Sequence, residues 1–236
     1  MAGYSGGVTT FEERALALPA VRLLRSPGVY RPQSDTWLLA EAAAAAGIPP
    51  GAKVLDICTG TGALAITASM LGAEDVVAID VSRRAVLSAR LNAWLNGQRI
   101  RALRGSMLAL PAAASFDVVL ANPPYVPCPP GTVTRGRRRA WNAGPDGRAL
   151  LDPICRSMPR LVKPGGFLLM VHSALSDADK SLRQLRDGGL AAEVVSRSTI
   201  PFGPVMWSRT EFLEQAGLVE RGQRHEDLVV IRADRP

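Results

Sequence analysis

Short apolar segments alternate along the chain with longer segments that have helical composition. KVLDI (residues 53–57), VVAID (76–80) and DVVLA (117–121) are almost continuously apolar, and each ends in a turn rich in glycine, serine or proline. Strands of this kind are buried on both faces, and parallel strands need crossover helices to connect them. The alternation therefore predicts a mostly parallel sheet with helices on both faces.

Seven segments qualify as strands, the others being residues 99–103, FLLMVHS, AAEVVSR and DLVVIRA. We predict an α/β, Rossmann-like doubly wound fold with a mostly parallel seven-stranded sheet. The last strand follows a long irregular stretch and is predicted to run antiparallel. Helices are predicted from about Asp35 to Gly47, with Ser34 or Asp35 as N-cap, from Ser82 to Gly97 and over residues 147–162, followed by a KPGG turn.

Composition limits the class of protein. The 236 residues are 47% hydrophobic and 21% charged, which suits one globular domain. No apolar run approaches the roughly 20 residues of a membrane-spanning helix, and the N-terminus lacks a signal-peptide pattern, so we expect a cytoplasmic protein. Three cysteines without a CxxC pair and two histidines predict reduced thiols and no metal site.

The net charge of +7 would suit nucleic acid, the ribosome or another acidic partner. Nearly all of the basic residues are arginine, and a GC-rich coding sequence would produce the same bias. RGRRR, residues 135–139, differs because four arginines in five residues create a local positive field. These are Arg135, Arg137, Arg138 and Arg139.

A glycine-rich turn, DICTGTGALA, follows the first strand, where open α/β sheets bind ligands. Gly60 and Gly62 would let the backbone approach a ligand, and Asp80, at the end of the second strand, could accept both ribose hydroxyls. These features fit NAD as well as S-adenosylmethionine. Asp56 decides between them, because a carboxylate would repel a pyrophosphate and attract the cationic methyl donor.

The sequence VVLANPPYVP, residues 118–127, passes from a buried strand into a rigid polar turn. The side-chain carbonyl of Asn122 and the backbone carbonyl of Pro123 can accept both hydrogens of a planar –NH2 group. Tyr125 is predicted to stack on that flat group, and the prolines stiffen the turn. A nitrogen held in this way attacks a sulfonium methyl without a general base, so catalysis is mainly positioning.

DICTGTG, Asp80 and NPPY together resemble the class I S-adenosylmethionine-dependent methyltransferases. The chain is most similar to the HemK-like group, the protein N5-glutamine methyltransferases that modify the GGQ motif of release factors. VYRPQSDTWLLAEAA (29–43) and WNAGPDGRALLD (141–152) resemble two further segments of that family. The resemblance implies that residues 1–50 form a helical segment covering the active site and residues 51–236 the methyltransferase domain. It implies a cofactor site formed by Asp35, Thr36, Asp56, Cys58, Gly60, Gly62, Asp80, Ser106, Met107 and Asn122.

Two departures from the family pattern stand out. Only about 50 residues precede the first strand, so the chain resembles the short branch that lacks the N-terminal helical domain, some of whose members work with a small activator subunit. In RGSM (104–107), Ser106 replaces the usual acidic residue that binds the adenine amino group. A serine hydroxyl accepts a weaker hydrogen bond than a carboxylate.

Two other functions remain open. NPPY would serve the exocyclic amino group of adenine or guanine in RNA or DNA as well as a glutamine amide, and the arginine cluster would suit a phosphate backbone. A cofactor-binding scaffold without activity is the third hypothesis, motivated by Ser106 and the short N-terminus. The loops at residues 127–141 and 200–210 are expected to select the substrate.

Overall fold

A computed structural model describes residues 18–24, 27–111, 113–132 and 136–236, except for the side chain of Arg137. The predicted N-terminal segment falls partly on residues 1–17, 25 and 26, which lie outside this part of the chain. The described residues form one sheet with the strand order β3-β2-β1-β4-β5-β7-β6. Its strands are β1 (Lys53–Ile57), β2 (Asp75–Asp80), β3 (Ile100–Arg104), β4 (Phe116–Ala121), β5 (Val162–Ser173), β6 (Ala191–Pro201) and β7 (His225–Asp234).

The strand directions confirm the predicted doubly wound sheet. Strands β3, β2, β1, β4 and β5 pair in parallel with their neighbours. The last strand, β7, lies between β5 and β6 and runs antiparallel to both. The carboxyl ends of the five parallel strands therefore meet at one edge of the sheet, where ligands bind in this class of fold.

Helices cover both faces of the sheet. Leu39, Leu64 and Val86 pack with Val54 on one face, whereas Ile154 and Leu185 belong to the cluster of Leu55 on the other. This alternation follows from the two-residue period of a strand. The helices are α1 (Ser34–Ala46), α2 (Ala63–Met70), α3 (Arg83–Leu95), α4 (Leu151–Leu161), α5 (Ala178–Asp187), α6 (Pro204–Trp207) and α7 (Thr210–Gln215). None of the described helices is long and apolar enough to cross a membrane.

Some predicted boundaries were wrong. The residue before α1 is Gln33, and neither Ser34 nor Asp35 caps the helix. Helix α4 begins at Leu151 because the chain turns at Gly147, whose φ is 75°. The KPGG segment belongs to β5, since Gly165 and Gly166 exchange backbone hydrogen bonds with Arg235 beside the antiparallel strand. The short helix α6 was not predicted.

Candidate active site

A cavity of about 450 Å³ lies at the carboxyl edge of the sheet. Its wall includes the turn after β1, the end of β2 and the NPPY turn after β4. The first turn of α1 reaches it from the opposite side. The structure therefore brings together, around one cavity, the following predicted site residues: Asp35, Thr36, Cys58, Gly60, Asp80, Asn122, Pro123 and Tyr125.

The two glycines of the first turn have different environments. Gly60 has a φ of 54° and lines the cavity, and a Cβ there would meet nothing closer than 3.9 Å. Gly62 does not line the cavity, and its Cβ would lie 3.0 Å from Cα and Cβ of Ala89 on α3. The missing side chain of Gly62 thus lets the turn pack against a helix, and its predicted cofactor contact stays a prediction. Cys58 lines the cavity with a φ of 61°, a conformation that L-residues rarely adopt.

Asp80 holds the glycine-rich turn in place. Its carboxylate oxygens accept hydrogen bonds from the backbone N–H groups of Gly60 at 3.1 Å and Ser82 at 2.8 Å. Burial raises the pKa of Asp80, while these N–H groups and the positive charge of Arg139 lower it. Each oxygen retains a lone pair, so Asp80 can still accept a ribose hydroxyl.

Asp56 lies beneath the turn and is completely buried. Its Oδ2 accepts a hydrogen bond from the Thr59 hydroxyl at 2.5 Å, whereas Oδ1 has no hydrogen-bond partner within the described residues. Burial raises the pKa of Asp56 to about 7, and the hydrogen bonds of Thr59 and the backbone of Ala65 only partly offset this rise. Asp56 is not part of the cavity wall, so its predicted role toward the cofactor also stays a prediction.

The amide of Asn122 is oriented by a chain of hydrogen bonds. Nδ2 of Asn122 donates to Oγ1 of Thr36 at 3.1 Å, and the Thr36 hydroxyl donates to Oδ1 of Asp35 at 3.2 Å. Because the Thr36 hydroxyl has given its hydrogen to a carboxylate, its oxygen can only accept from Asn122. The carbonyl oxygen of Asn122 therefore points away from Thr36 and stays free of donors from the described part of the protein.

Asp35 is the centre of this network. The carboxylate is 4% exposed and accepts the backbone N–H of Thr36 at 2.6 Å as well as its hydroxyl. The hydroxyls of Tyr30 and Tyr125 donate to its other oxygen at 3.0 and 3.2 Å. Burial is the main cause that raises the pKa of both tyrosines, followed by the Asp35 charge. Tyr30, which sequence reasoning did not single out, therefore orients the active site together with Asp35.

The GPDG segment, residues 144–147, packs against the NPPY turn. A Cβ on Gly147 would lie only 2.3 Å from the backbone oxygen of Tyr125, and Ser176 donates to that oxygen at 2.7 Å. The neighbouring Arg148 is buried and forms hydrogen bonds with Asp152 and with the backbone of Ser176. Only glycine fits at position 147, which explains this motif by packing.

Ser106 and Met107 do not line the cavity. The Ser106 hydroxyl accepts a hydrogen bond from the backbone of Leu108 at 3.2 Å and so caps the 3₁₀ helix Met107–Ala109. Met107 is buried in the core cluster of Leu55. Their predicted contacts with adenine remain predictions.

The arginine cluster is close to the cavity. Arg139 belongs to the 3₁₀ helix Gly136–Ala140, lines the cavity and acts electrostatically on Asp80. Arg138 is exposed. Arg135 and the side chain of Arg137 lie outside the described residues.

A groove adjoins the cavity on the side of β6 and β7. The two share Tyr30, Asp35, Tyr125 and Trp141, and the groove continues to Ile200, Met206 and Glu226. The loop at residues 200–210 therefore lies beside the site, as expected for a segment that selects the substrate. Glu226 was missed because no local motif marks it, and only the antiparallel pairing of β7 brings it here.

Comparison of the sequence with known proteins finds methyltransferases as relatives. The model of the ribosomal protein L11 methyltransferase (PrmA) family matches residues 40–123. A protein named as an N5-glutamine methyltransferase from Methanocaldococcus jannaschii is 29% identical over 81% of this chain and 95% of its own length. Release factor glutamine methyltransferases from Mycolicibacterium smegmatis and Bordetella pertussis are 31% and 34% identical over 75% and 73% of this chain. The chain spans 66% of the length of each of these two bacterial relatives.

Solved structures show the same fold. The Mtq2–Trm112 complex of E. cuniculi superposes with a TM-score of 0.60 at 22% identity, covering 89% of this chain and 99% of the other. A ribosomal protein L11 methylase from Lactobacillus delbrueckii gives 0.57 at 22% identity, covering 89% and 83%. The fold is thus that of a class I methyltransferase. With its relatives, the chain belongs to the protein N5-glutamine methyltransferase family and is an enzyme that transfers methyl groups.

Proposed function

We propose that this enzyme methylates the side-chain amide nitrogen of a glutamine in a protein, and that a peptide-chain release factor is its substrate. The observation that carries the proposal is the fixed orientation of Asn122, whose free carbonyl oxygen belongs to a cavity wall that also contains Pro123. Two carbonyl acceptors on a rigid turn match the two hydrogens of a primary amide. The names of the relatives from M. smegmatis and B. pertussis support the release factor as the substrate.

The residues present fit S-adenosylmethionine. Asp80 would accept the ribose hydroxyls, and Gly60 leaves room for close approach. Beneath the turn, the unpartnered Oδ1 of Asp56 is a buried acceptor suited to a cationic ligand. When bound, the cofactor supplies a methyl group activated by positively charged sulfur. Ser106 and Met107 would join the site only if the cofactor extends toward β3.

The protein's own contribution to the reaction is orientation. Asn122 and the backbone carbonyl of Pro123 hold the –NH2 group so that its nitrogen faces the cofactor side of the cavity. The Asp35 and Thr36 hydrogen bonds prevent the Asn122 amide from turning. Tyr125, fixed by its hydrogen bond to Asp35, provides an aromatic wall for the flat amide. As the nitrogen–carbon bond forms and the methyl–sulfur bond breaks, the nitrogen would release its proton to water, so no side chain of lowered pKa has to accept it.

Methylation of an exocyclic amino group in RNA or DNA is the second candidate. Arg139 at the cavity and the exposed Arg138 next to it favour this candidate, because phosphates bind such groups. Labelled S-adenosylmethionine offered separately to release factor, RNA and DNA distinguishes the two functions. Label on the glutamine of the GGQ motif, absent when that glutamine is replaced by alanine, supports the proposal, and label on nucleic acid alone refutes it.

We further propose a small activator subunit as partner and the cytoplasm as the place of action. The structural neighbour Mtq2 was solved in complex with Trm112, and Leu87, Leu91, Trp94 and Leu103 are exposed apolar side chains on α3 and β3. Apolar side chains clustered on a surface often mark a protein contact. Co-purification from cells of origin, with a Trp94→Ser variant as control, tests the partner. Full activity of the isolated chain would remove the need for one.

A further inference from the structure

The groove beside the cavity contains a carboxyl group, that of Glu226, with one oxygen that receives no hydrogen bond from the described part of the chain. Glu226 lies near the start of β7 and is only 6% exposed, although it belongs to the groove wall. Its Oε2 atom has no hydrogen-bond partner among the residues that the structure describes. A buried acceptor without a donor is costly, and folded proteins retain few such groups, among them groups that act in catalysis or receive a donor from outside the chain.

The surroundings of Glu226 disfavour the charged form of its carboxyl group. Burial raises the pKa of Glu226, and the negative charge of Asp35 raises it further. Hydrogen bonding from Ser173 is the one effect that lowers the pKa. Among the described residues no arginine lowers the pKa of Glu226, although Arg31 and Arg84 lie on the exposed rim of the groove. The site is therefore suited to a hydrogen-bond donor and unsuited to a phosphate.

The position of the groove identifies its occupant as the methyl acceptor. The predicted cofactor residues Cys58, Gly60 and Asp80 lie at the ends of β1 and β2, whereas Glu226 lies on β7, on the other side of the NPPY turn in the strand order. Tyr125 and Asp35 belong to both the cavity and the groove, so an acceptor held at Asn122 continues into the groove. Trp141, Ile200 and Met206 give it apolar walls.

We propose that the groove binds the substrate as an extended polypeptide segment and that Oε2 of Glu226 accepts a main-chain N–H next to the methylated residue. This inference rests on the proposed function and adds a specificity-determining residue to it. Main-chain N–H groups are the donors that every peptide carries within a side-chain length of the reacting amide, even where its neighbours are glycines. A nucleic acid would instead bring phosphates toward two buried carboxyl groups, which like charge disfavours.

Glu226→Gln tests the proposal, with Asp227→Asn as the matched control. Asp227 is the next residue of β7, bonds to Thr199 and Arg197, and is absent from the groove wall. With a release-factor peptide as substrate, we expect Glu226→Gln to raise KM by roughly tenfold, because an amide oxygen accepts a weaker hydrogen bond than a carboxylate oxygen and the amide –NH2 repels the N–H when it faces the groove. The kcat and the calorimetric Kd for S-adenosylmethionine should change less than twofold, and Asp227→Asn should behave like wild type.

A second measurement separates hydrogen bonding from a general structural effect. Peptides in which single amide bonds near the glutamine are replaced by esters lack one N–H each. One of these replacements should weaken wild-type binding at least as much as Glu226→Gln does, and its effect should be smaller in that variant. Wild-type peptide kinetics in Glu226→Gln, or equal ester effects in both proteins, would overturn the inference while leaving glutamine methylation intact. If the wild type labels no peptide or release factor, the proposed function itself fails, and the inference fails with it.

Discussion

Asn122 and Thr36 are separated by 86 positions in the chain, yet the side-chain amide of the first donates to the hydroxyl of the second at 3.1 Å. Asn122 begins the turn after β4, and Thr36 lies in the first turn of α1. The hydrogen bond joins the segment that precedes the sheet to the centre of the site. It also decides which end of the Asn122 amide is available to a substrate.

This relationship predicts that Thr36→Val lowers kcat by about tenfold, the effect of losing one hydrogen bond that orients a reacting group. The cofactor Kd, measured by calorimetry, should change much less. Thr36→Ser retains the hydroxyl and should keep most of the activity. A variant that loses cofactor affinity but keeps kcat would instead make Thr36 a cofactor ligand.

Asn122→Ala should raise the activation free energy of methyl transfer by about 2 to 4 kcal/mol, as expected for the loss of one group that hydrogen-bonds the transition state. Single-turnover kinetics with saturating cofactor measure this step directly. Cofactor binding should remain nearly intact, because the residue holds the acceptor. An unchanged rate would exclude Asn122 from the mechanism.

Asp80→Ala should weaken cofactor binding before it affects any other step. The variant loses an acceptor for the ribose hydroxyls and also the two backbone hydrogen bonds that shape the glycine-rich turn. Titration calorimetry measures the loss of cofactor affinity. The affinity of Asp80→Asn, which keeps one acceptor oxygen, should lie between those of Asp80→Ala and wild type. Tight binding by Asp80→Ala would mean that the ribose is held elsewhere.

Cofactor affinity should depend on pH through Asp56. In the free protein burial raises its pKa to about 7, so the carboxyl is largely protonated below that pH. A cationic ligand favours the ionised form, and binding must then release a proton. The Kd should therefore rise as the pH falls from 7 to 5, by up to about tenfold per unit. In Asp56→Asn the cofactor affinity should be weaker at pH 7 and nearly independent of pH. If the Kd of both proteins changed equally with pH, another group would cause the effect.

Protein stability should fall on acidification because of His172. Burial lowers the pKa of His172 to about 4 from its ordinary 6.5, so the unfolded chain takes up a proton in this range and the folded chain does not. The stability contributed by the neutral ring is complete above pH 6.5 and is lost as the pH falls toward 4, by about 3 kcal/mol. Urea titrations of wild type and His172→Asn at several pH values measure it. The difference between the two proteins should shrink with falling pH, and a constant difference would contradict the assignment.

Local patterns predicted most of the sheet. The apolar runs gave β1 at residues 53–57 as observed, and Ser82 caps α3 because a serine before a helical segment can bond the free N–H of Ala85. The KPGG segment was mistaken for a turn, since its place in β5 depends on neighbouring chain that is remote in sequence. The short helix α6 was missed for a different reason, because four residues are too few to show a helical period.

By itself, the sequence determined that Asp80 and Asn122 line one cavity, because parallel β-strands end at the same edge of a sheet and carry these two residues there. Only the tertiary structure decided what orients them and what lies beside them. Thr36, oriented by Asp35, accepts a hydrogen bond from Asn122, which is remote in sequence. Gly62 allows close packing against α3, and the antiparallel pairing of β7 places Glu226 beside the site. Such contacts depend on strand order and helix packing, which are set by burial of the whole core and leave no mark in a local stretch of sequence.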